Sequence, residues 1–167
     1  LRQTQHPGLR ALLDVAKVGS QPITTEDVGF RIGPRLNAAG RLSQPELVVD
    51  LLTSNDPQEC KRLAQALDDA NKERREIESG VLDEALQQAD ELMQGGDKSS
   101  LVVAGQGWHQ GVIGIVAARL VDRHGVPSVV IGLDGDKGRG SGRTPGAVNL
   151  HDAFEASAEH LGRYGGH

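Results

Sequence analysis

"SLVVAGQGWHQGVIGIVAARLVDRHGVPSVVIGL", Ser100 to Leu133, is the stretch on which the reading of this chain turns. "SLVVAG" is a short run of β-branched residues closed by glycine, the pattern of a buried strand. "GWHQG" is a turn. "VIGIVAARLVDRHG" repeats its apolar residues at helical spacing and stops at Gly125. "VPSVVIGL" reads as a second strand. The order strand, helix, strand predicts a parallel βαβ unit, and so an α/β fold with a largely parallel or mixed sheet.

Just downstream lies "KGRGSGRTPG", Lys137 to Gly146, where three cations stand among four glycines with no acid. It reads as a bare, positive loop. Glycines let a backbone approach an anion closely. Ser141 offers a hydroxyl, Arg143 a planar fork suited to two phosphate oxygens, and Arg139 and Lys137 add field. A loop that begins where the second strand ends lies at the carboxyl end of the sheet, where ligands bind in open α/β folds. The Gly-Lys-Ser/Thr of a Walker loop is missing. The plainer alternative is a surface hairpin with ordinary cations.

The "GWHQG" turn faces the same question. The amides around Gly111 to Gly114 open a helix, and helix amino ends attract anions. His109 lies two residues ahead. Alternatively, the turn is only tight, with Trp108 packed and His109 facing solvent. After the basic stretch, "NLHDAFEASAEHL" offers Asn149 as a cap and puts Leu150, Phe154, Ala158 and Leu161 on one face. The chain then runs out through "GRYGGH".

Upstream, the clearest element is a long helix. Asp56 is placed to cap it, Pro57 suits the first helical position and Glu59 stands where a capping box wants an acid. Cys60, Leu63, Leu67, Ala70, Ile77, Val81, Ala85, Ala89 and Leu92 recur at intervals of mostly three and four. A helix over 57–94 would be ~57 Å long, more than the width of a small domain, so much of it is solvated or lies between domains. From Pro57 to Gln94 there are ten acids against five bases, which accounts for the whole net charge of −5. "ERREIE" is a charged face laced by pairs three and four apart.

Nearer the start, "HPGLRALLDVAKVGS" predicts a short helix opened by Pro7-Gly8 and closed at Gly19, with His6 on the surface. Thr24 or Thr25 followed by an acid starts a small helical turn. "FRIGPRLNAAGRL", Phe30 to Leu42, is a compact basic turn carrying Arg31, Arg35 and Arg41, and Pro34 breaks any regular helix through it. Its arginines serve either a ligand or acids elsewhere in the fold.

Composition narrows the function classes. One Trp, one Tyr and two Phe leave no aromatic platform for stacking single-stranded bases. One cysteine excludes an internal disulfide framework and a four-cysteine zinc site, and Cys60 is expected to pack. The six histidines show no paired metal-ligand spacing, and HExxH, CxxC and Gly-x-Ser-x-Gly are missing. With no apolar run of membrane length, a soluble, reducing, cytoplasmic setting is expected.

Read together, "FRIGPRLNAAGRL", the "NKERREIE" helix, "GWHQGVIGIVAARL", "GSGRTPG" and "GGH" occur in an order that resembles the RecJ family of single-strand-specific exonucleases, of the DHH phosphoesterase superfamily. The resemblance runs from about Gly8 to His167. It implies a 5′-to-3′ exonuclease acting on single-stranded DNA in recombination and repair, with Mn²⁺ or Mg²⁺ held by an N-terminal DHH domain in cis. It divides the chain into the end of that domain (1–54), a connector helix (55–95) and a DHH-associated, nucleic-acid-binding domain (96–167). It implies that Ser141, Gly142 and Arg143 hold the 5′-terminal phosphate with Arg139 nearby, and that Arg35 or Arg41 has a similar role. Trp108, His109 and Gly111 of one motif and Gly165, Gly166 and His167 of the other would line the same cleft. The family's aspartate-rich metal motifs belong upstream of Leu1, and an alanine-rich helix and a strand follow its "GGH". The chain is therefore expected to bind no metal and cut no DNA by itself. The alternatives are a stand-alone binding module and a phosphodiesterase for short oligonucleotides or cyclic dinucleotides.

Overall fold

The computed structural model describes residues 4–18, 22–96, 98–146 and 148–166. The chain divides into two compact units, Leu1–Glu76 and Ile77–His167. The first is helical. Its opening helix α1 (Pro7–Val15) is capped by His6, whose Nδ1 accepts from the amides of Gly8 and Leu9 at 3.1 and 3.3 Å. With Nδ1 accepting, the neutral ring carries its proton on Nε2, which donates to the Leu52 carbonyl at 2.8 Å. His6 is thus a brace between two helices and not the idle surface residue expected. It takes the part usually given to Ser or Asp at this position. Helix α1 ends at Val15, ahead of the predicted stop at Gly19, which lies outside the described residues.

As Pro34 requires, no regular α-helix runs through the middle of this stretch, yet the chain stays helical. Thr24 and Asp27 bond each other reciprocally, at 3.0 and 3.1 Å, and start a π-helical turn over Asp27–Ile32. Helix α2 (Gly33–Arg41) follows directly, with Pro34 in its first turn, where a missing N–H costs nothing. The wide turn absorbs the proline, so the segment read as a basic turn is helical. Helix α3 (Glu46–Thr53) completes the set before the long helix α4 (Pro57–Gln94). Leu12, Leu51, Leu63 and Leu67 are fully buried here, with Cys60 packed among them as expected. Each such leucine contributes about 1.5–3 kcal/mol.

Helix α4 has the predicted bounds. Asp56 Oδ1 accepts from the Gln58 amide at 2.9 Å. Glu59 does not reach back as a capping box would. It chelates Arg62 at 2.6 and 2.8 Å, and the Asp56 amide is met by Ser54 Oγ instead. The apolar stripe serves two cores: Cys60, Leu63 and Leu67 in the first unit, Val81, Ala85 and Ala89 in the second. Leu92, read as part of the stripe, is 42% exposed.

In the second unit, β1 (Leu101–Gln106), helix α5 (Ile113–His124) and β2 (Ser128–Asp134) form the predicted parallel unit, with Leu101 opposite Ser128 and Gly105 opposite Gly132. Gly125 ends α5 at φ 70°. Leu101, Val103 and Val130 meet Val116, Ala117 and Leu120 in the core. The sheet is mixed, in the order β1-β2-β3, because the expected basic loop is a strand. Strand β3 (Lys137–Arg143) runs antiparallel to β2, with Ser128 opposite Arg143 and Asp134 opposite Lys137. Its residues alternate, glycine on one face and Lys137, Arg139, Ser141 and Arg143 on the other. A strand with glycine on one face and polar side chains on the other shows no apolar period, which is why it reads as a loop.

Helix α6 (Leu150–Ala156) is capped by the Asn149 side chain as predicted, through the His151 amide at 3.0 Å. Leu150 and Phe154 lie against the glycine face of β3 at Gly142. The helix stops before the rest of its predicted apolar face: Ala158 opens a 3₁₀ turn over Ala158–His160, and Leu161 follows it. Among the described residues, no helix is long and apolar enough to cross a membrane.

Candidate phosphate-binding site

The stretch from Trp108 to Gly114 crosses the sheet and comes down beside β3. Trp108 lies over the glycine pair Gly105 and Gly132. A Cβ on Gly105 would stand 2.1 Å from the indole Cε2, and one on Gly132 would stand 2.2 Å from the Trp108 carbonyl oxygen. No side chain fits in either gap. The indole Nε1–H donates to Glu84 of α4 at 2.8 Å, and the ring is only 6% exposed. Trp108 therefore packs into the core and anchors the turn. His109 Nδ1 accepts from the Gly111 amide at 3.0 Å, which leaves Nε2–H of the neutral ring as a donor. The next residue, Gln110, accepts from Arg139 Nη1 at 2.5 Å.

The first turn of α5 then meets the end of β3. A Cβ on Gly114 would lie 3.0 Å from Ser141 Oγ and 3.1 Å from Arg143 Nη2. Arg143 Nη1 donates to Ser141 Oγ at 3.1 Å and to the Gly142 carbonyl at 2.7 Å. Arg139, Ser141 and Arg143 stand at alternate positions of β3 and so share a face. Both arginines are exposed, and among the described residues neither is paired with a carboxylate. Two unneutralised guanidinium groups, a hydroxyl and the positive end of a twelve-residue helix share one patch. That set suits a phosphate group. The cations are strung along β3, from Lys137 opposite Asp134 at the carboxyl end of β2 to Arg143 opposite Ser128 at its start, where a loop at the carboxyl end alone had been expected.

The other sequence-predicted residues are placed differently. Arg35 is committed inside the first unit. Its Nε donates to Asp68 Oδ1 at 2.8 Å, its Nη1 to the Arg31 carbonyl at 2.5 Å, and its side chain is 15% exposed. Burial resists ionisation of Asp68, but Lys72 at 2.9 Å and Arg35 together outweigh it and hold the carboxyl below the usual range. Arg31 pairs with Asp27 at 3.0 Å and also donates to the Lys17 carbonyl. Arg41 is exposed at the end of α2. Gly165 and Gly166 are exposed, with nothing within 4 Å of where a Cβ would stand. His167 lies outside the described residues.

Sequence reading missed Glu84 and Gln110. Both sit in polar company that gives no periodic cue, and only the fold shows what they hold. The pairing of Gly105 with Gly132 leaves a trace in the sequence, one glycine near the end of each strand. The reason for it appears only in register.

His151, Asp152 and Glu155 bring three ligand-type atoms within 4.8 Å of one another, all exposed on the short helix α6. A pair of catalytic metal ions needs a denser set of carboxylates than this. These residues do not fit such a centre.

Residues 97–167 match the model of the DHHA1 domain. The whole chain is 40% identical over 169 residues to the single-stranded-DNA-specific exonuclease RecJ of Bacillus subtilis, and 89% of it is 40% identical to that of Escherichia coli. This chain belongs to the RecJ family. Among solved structures, RecJ of Thermus thermophilus in complex with Mg²⁺ matches 98% of it at 30% identity, with a TM-score of 0.86. The same RecJ has been solved with Mn²⁺, and it matches with a TM-score of 0.85. The chain spans 21% of the Bacillus RecJ, 26% of the Escherichia RecJ and 25% of the Thermus RecJ chain with Mg²⁺. The long helix and mixed three-stranded sheet are the RecJ arrangement of this region, as the sequence motifs implied.

Proposed function

We propose that this chain supplies the strand-holding part of a 5′-to-3′ single-stranded-DNA exonuclease, and that Arg139, Ser141, Arg143 and the first turn of α5 hold the 5′-terminal phosphate. One observation carries the reading: the hydroxyl of Ser141 and the guanidinium of Arg143 stand against Gly114 at the amino end of α5, and among the described residues no acid neutralises the arginine. Phosphate contacts position a strand without reading its bases, which suits a nuclease indifferent to sequence. On this reading residues 1–54 end a DHH domain, 55–95 connect, and 96–167 bind nucleic acid. Mg²⁺ or Mn²⁺ in the DHH domain would activate water and stabilise the leaving oxygen. Within this chain, Arg139 and Arg143 bind, Gln110 orients Arg139, and Trp108 seats the turn.

The test compares labelled single strands carrying 5′-phosphate or 5′-hydroxyl, by fluorescence anisotropy at fixed salt. Charged hydrogen bonds of about 1.5–3 kcal/mol predict roughly ten- to hundredfold tighter binding of the phosphorylated strand. Arg143→Ala should erase that preference and leave the hydroxyl strand nearly unaffected. Equal loss on both strands would show Arg143 to be a general contact and would end the clamp reading. Incubation with Mn²⁺ should leave either strand uncut, and digestion would place a metal centre in this chain.

A further inference from the structure

We infer that Glu84 is a positioning residue for the phosphate site, acting through Trp108. This rests on the phosphate reading and adds a residue of α4 to it. The observations form a chain of contacts within one unit. Glu84 Oε2 accepts the indole N–H at 2.8 Å. The ring and carbonyl of Trp108 fill the gaps at Gly105 and Gly132. The two residues that follow are His109, bonded to the Gly111 amide, and Gln110, bonded to Arg139. Packing keeps the indole in place, and the carboxylate fixes how the ring is turned. The direction in which the chain leaves Trp108 sets where Gln110 and the amides of α5 stand relative to β3. Glu84 itself is exposed, while the indole N–H it accepts belongs to a ring that is 6% exposed. A negative charge kept near a phosphate site opposes binding by its field, so its value lies in orientation.

The experiment measures the ratio of dissociation constants for 5′-hydroxyl and 5′-phosphate strands in the wild-type chain and five variants, each well below its melting temperature. Glu84→Ala and Trp108→Phe each remove one side of the hydrogen bond and should cut the ratio roughly tenfold. The double variant should cut it no further. Glu84→Gln keeps an accepting oxygen without the charge and should retain the ratio. Ala89→Gly weakens the same helix in the same core and leaves the Glu84–Trp108 hydrogen bond in place, and should also retain it. Trp108 is the only tryptophan, so its emission should shift in Glu84→Ala and not in Ala89→Gly. A wild-type ratio near one overturns the phosphate reading and this inference with it. A wild-type preference that Glu84→Ala leaves intact, or that Ala89→Gly lowers equally, overturns this inference alone.

Discussion

Gly132→Ala should destabilise the second unit although alanine suits a strand better than glycine. The new Cβ would stand 2.2 Å from the Trp108 carbonyl oxygen. Carbon and oxygen normally meet no closer than about 3.3 Å, so roughly 1 Å must be opened. The obstacle is backbone and cannot swing aside as a side-chain tip does. Overpacking of this kind costs about 1–3 kcal/mol, and a backbone obstacle belongs at the upper end. The smaller unfolded-state entropy of alanine returns about 0.4–1 kcal/mol. The net is a loss of about 2 kcal/mol. Gly140→Ala, on the neighbouring strand, is the internal control. Its Cβ would lie 3.4 Å from Ile131 Cγ1, an ordinary contact, so the entropy gain should stand alone. Urea unfolding followed by Trp108 emission reads both. With a slope of about 2 kcal/mol per molar, Gly132→Ala should move the midpoint down by about 1 M, and Gly140→Ala slightly up. A Gly132→Ala midpoint equal to wild type, or an equal drop in both variants, would refute the claim that this glycine exists to admit the turn.

Substitutions at three further positions have defined outcomes. Gly114→Ala meets only the ends of flexible side chains and fills a helix position, so it should hold or raise the melting temperature by the equivalent of up to about 1 kcal/mol. The same variant should weaken the 5′-phosphate preference in the anisotropy assay by crowding Ser141 and Arg143. Asp68 is held below its unfolded value, so the stability it adds is full above about pH 4 and is lost as pH falls further, through the folded value. Far-UV melts of Asp68→Asn should be about 1–3 kcal/mol weaker at neutral pH and should lack part of the wild-type acid dependence. His6→Ala removes the cap of α1 and should cost about 1 kcal/mol in chemical unfolding, while His6→Asn, which can accept the same amides, should recover most of it.

What the sequence made legible follows from where side chains advertise their surroundings. Helix α4 could be bounded to the residue because Asp56, Pro57 and a recurring apolar stripe all speak locally. The parallel pair β1 and β2 was legible for the same reason, since both strands carry branched apolar side chains into a core. Strand β3 was not, because Gly138, Gly140 and Gly142 make one face and Lys137, Arg139, Ser141 and Arg143 the other, so no apolar pattern forms. Pro34 does bar a regular α-helix, but the segment read as a turn stays helical because the proline sits in a first helical turn reached through a π-helical segment. For the site, the cations and glycines were legible as types. Their grouping around Gly114, and the polar supports Glu84 and Gln110, depend on distances between strands and helices that no local spacing encodes.

Among the described residues, strand β3 is an edge of its sheet, so its outer backbone groups are a template onto which a second molecule could zip. Like charges brought side by side repel, and Lys137, Arg139 and Arg143 set such charges along that rim. The guanidinium groups proposed to hold a phosphate would thereby also oppose edge-to-edge pairing of two copies. Variants that neutralise them should be checked for self-association before any loss of binding is assigned to a missing contact.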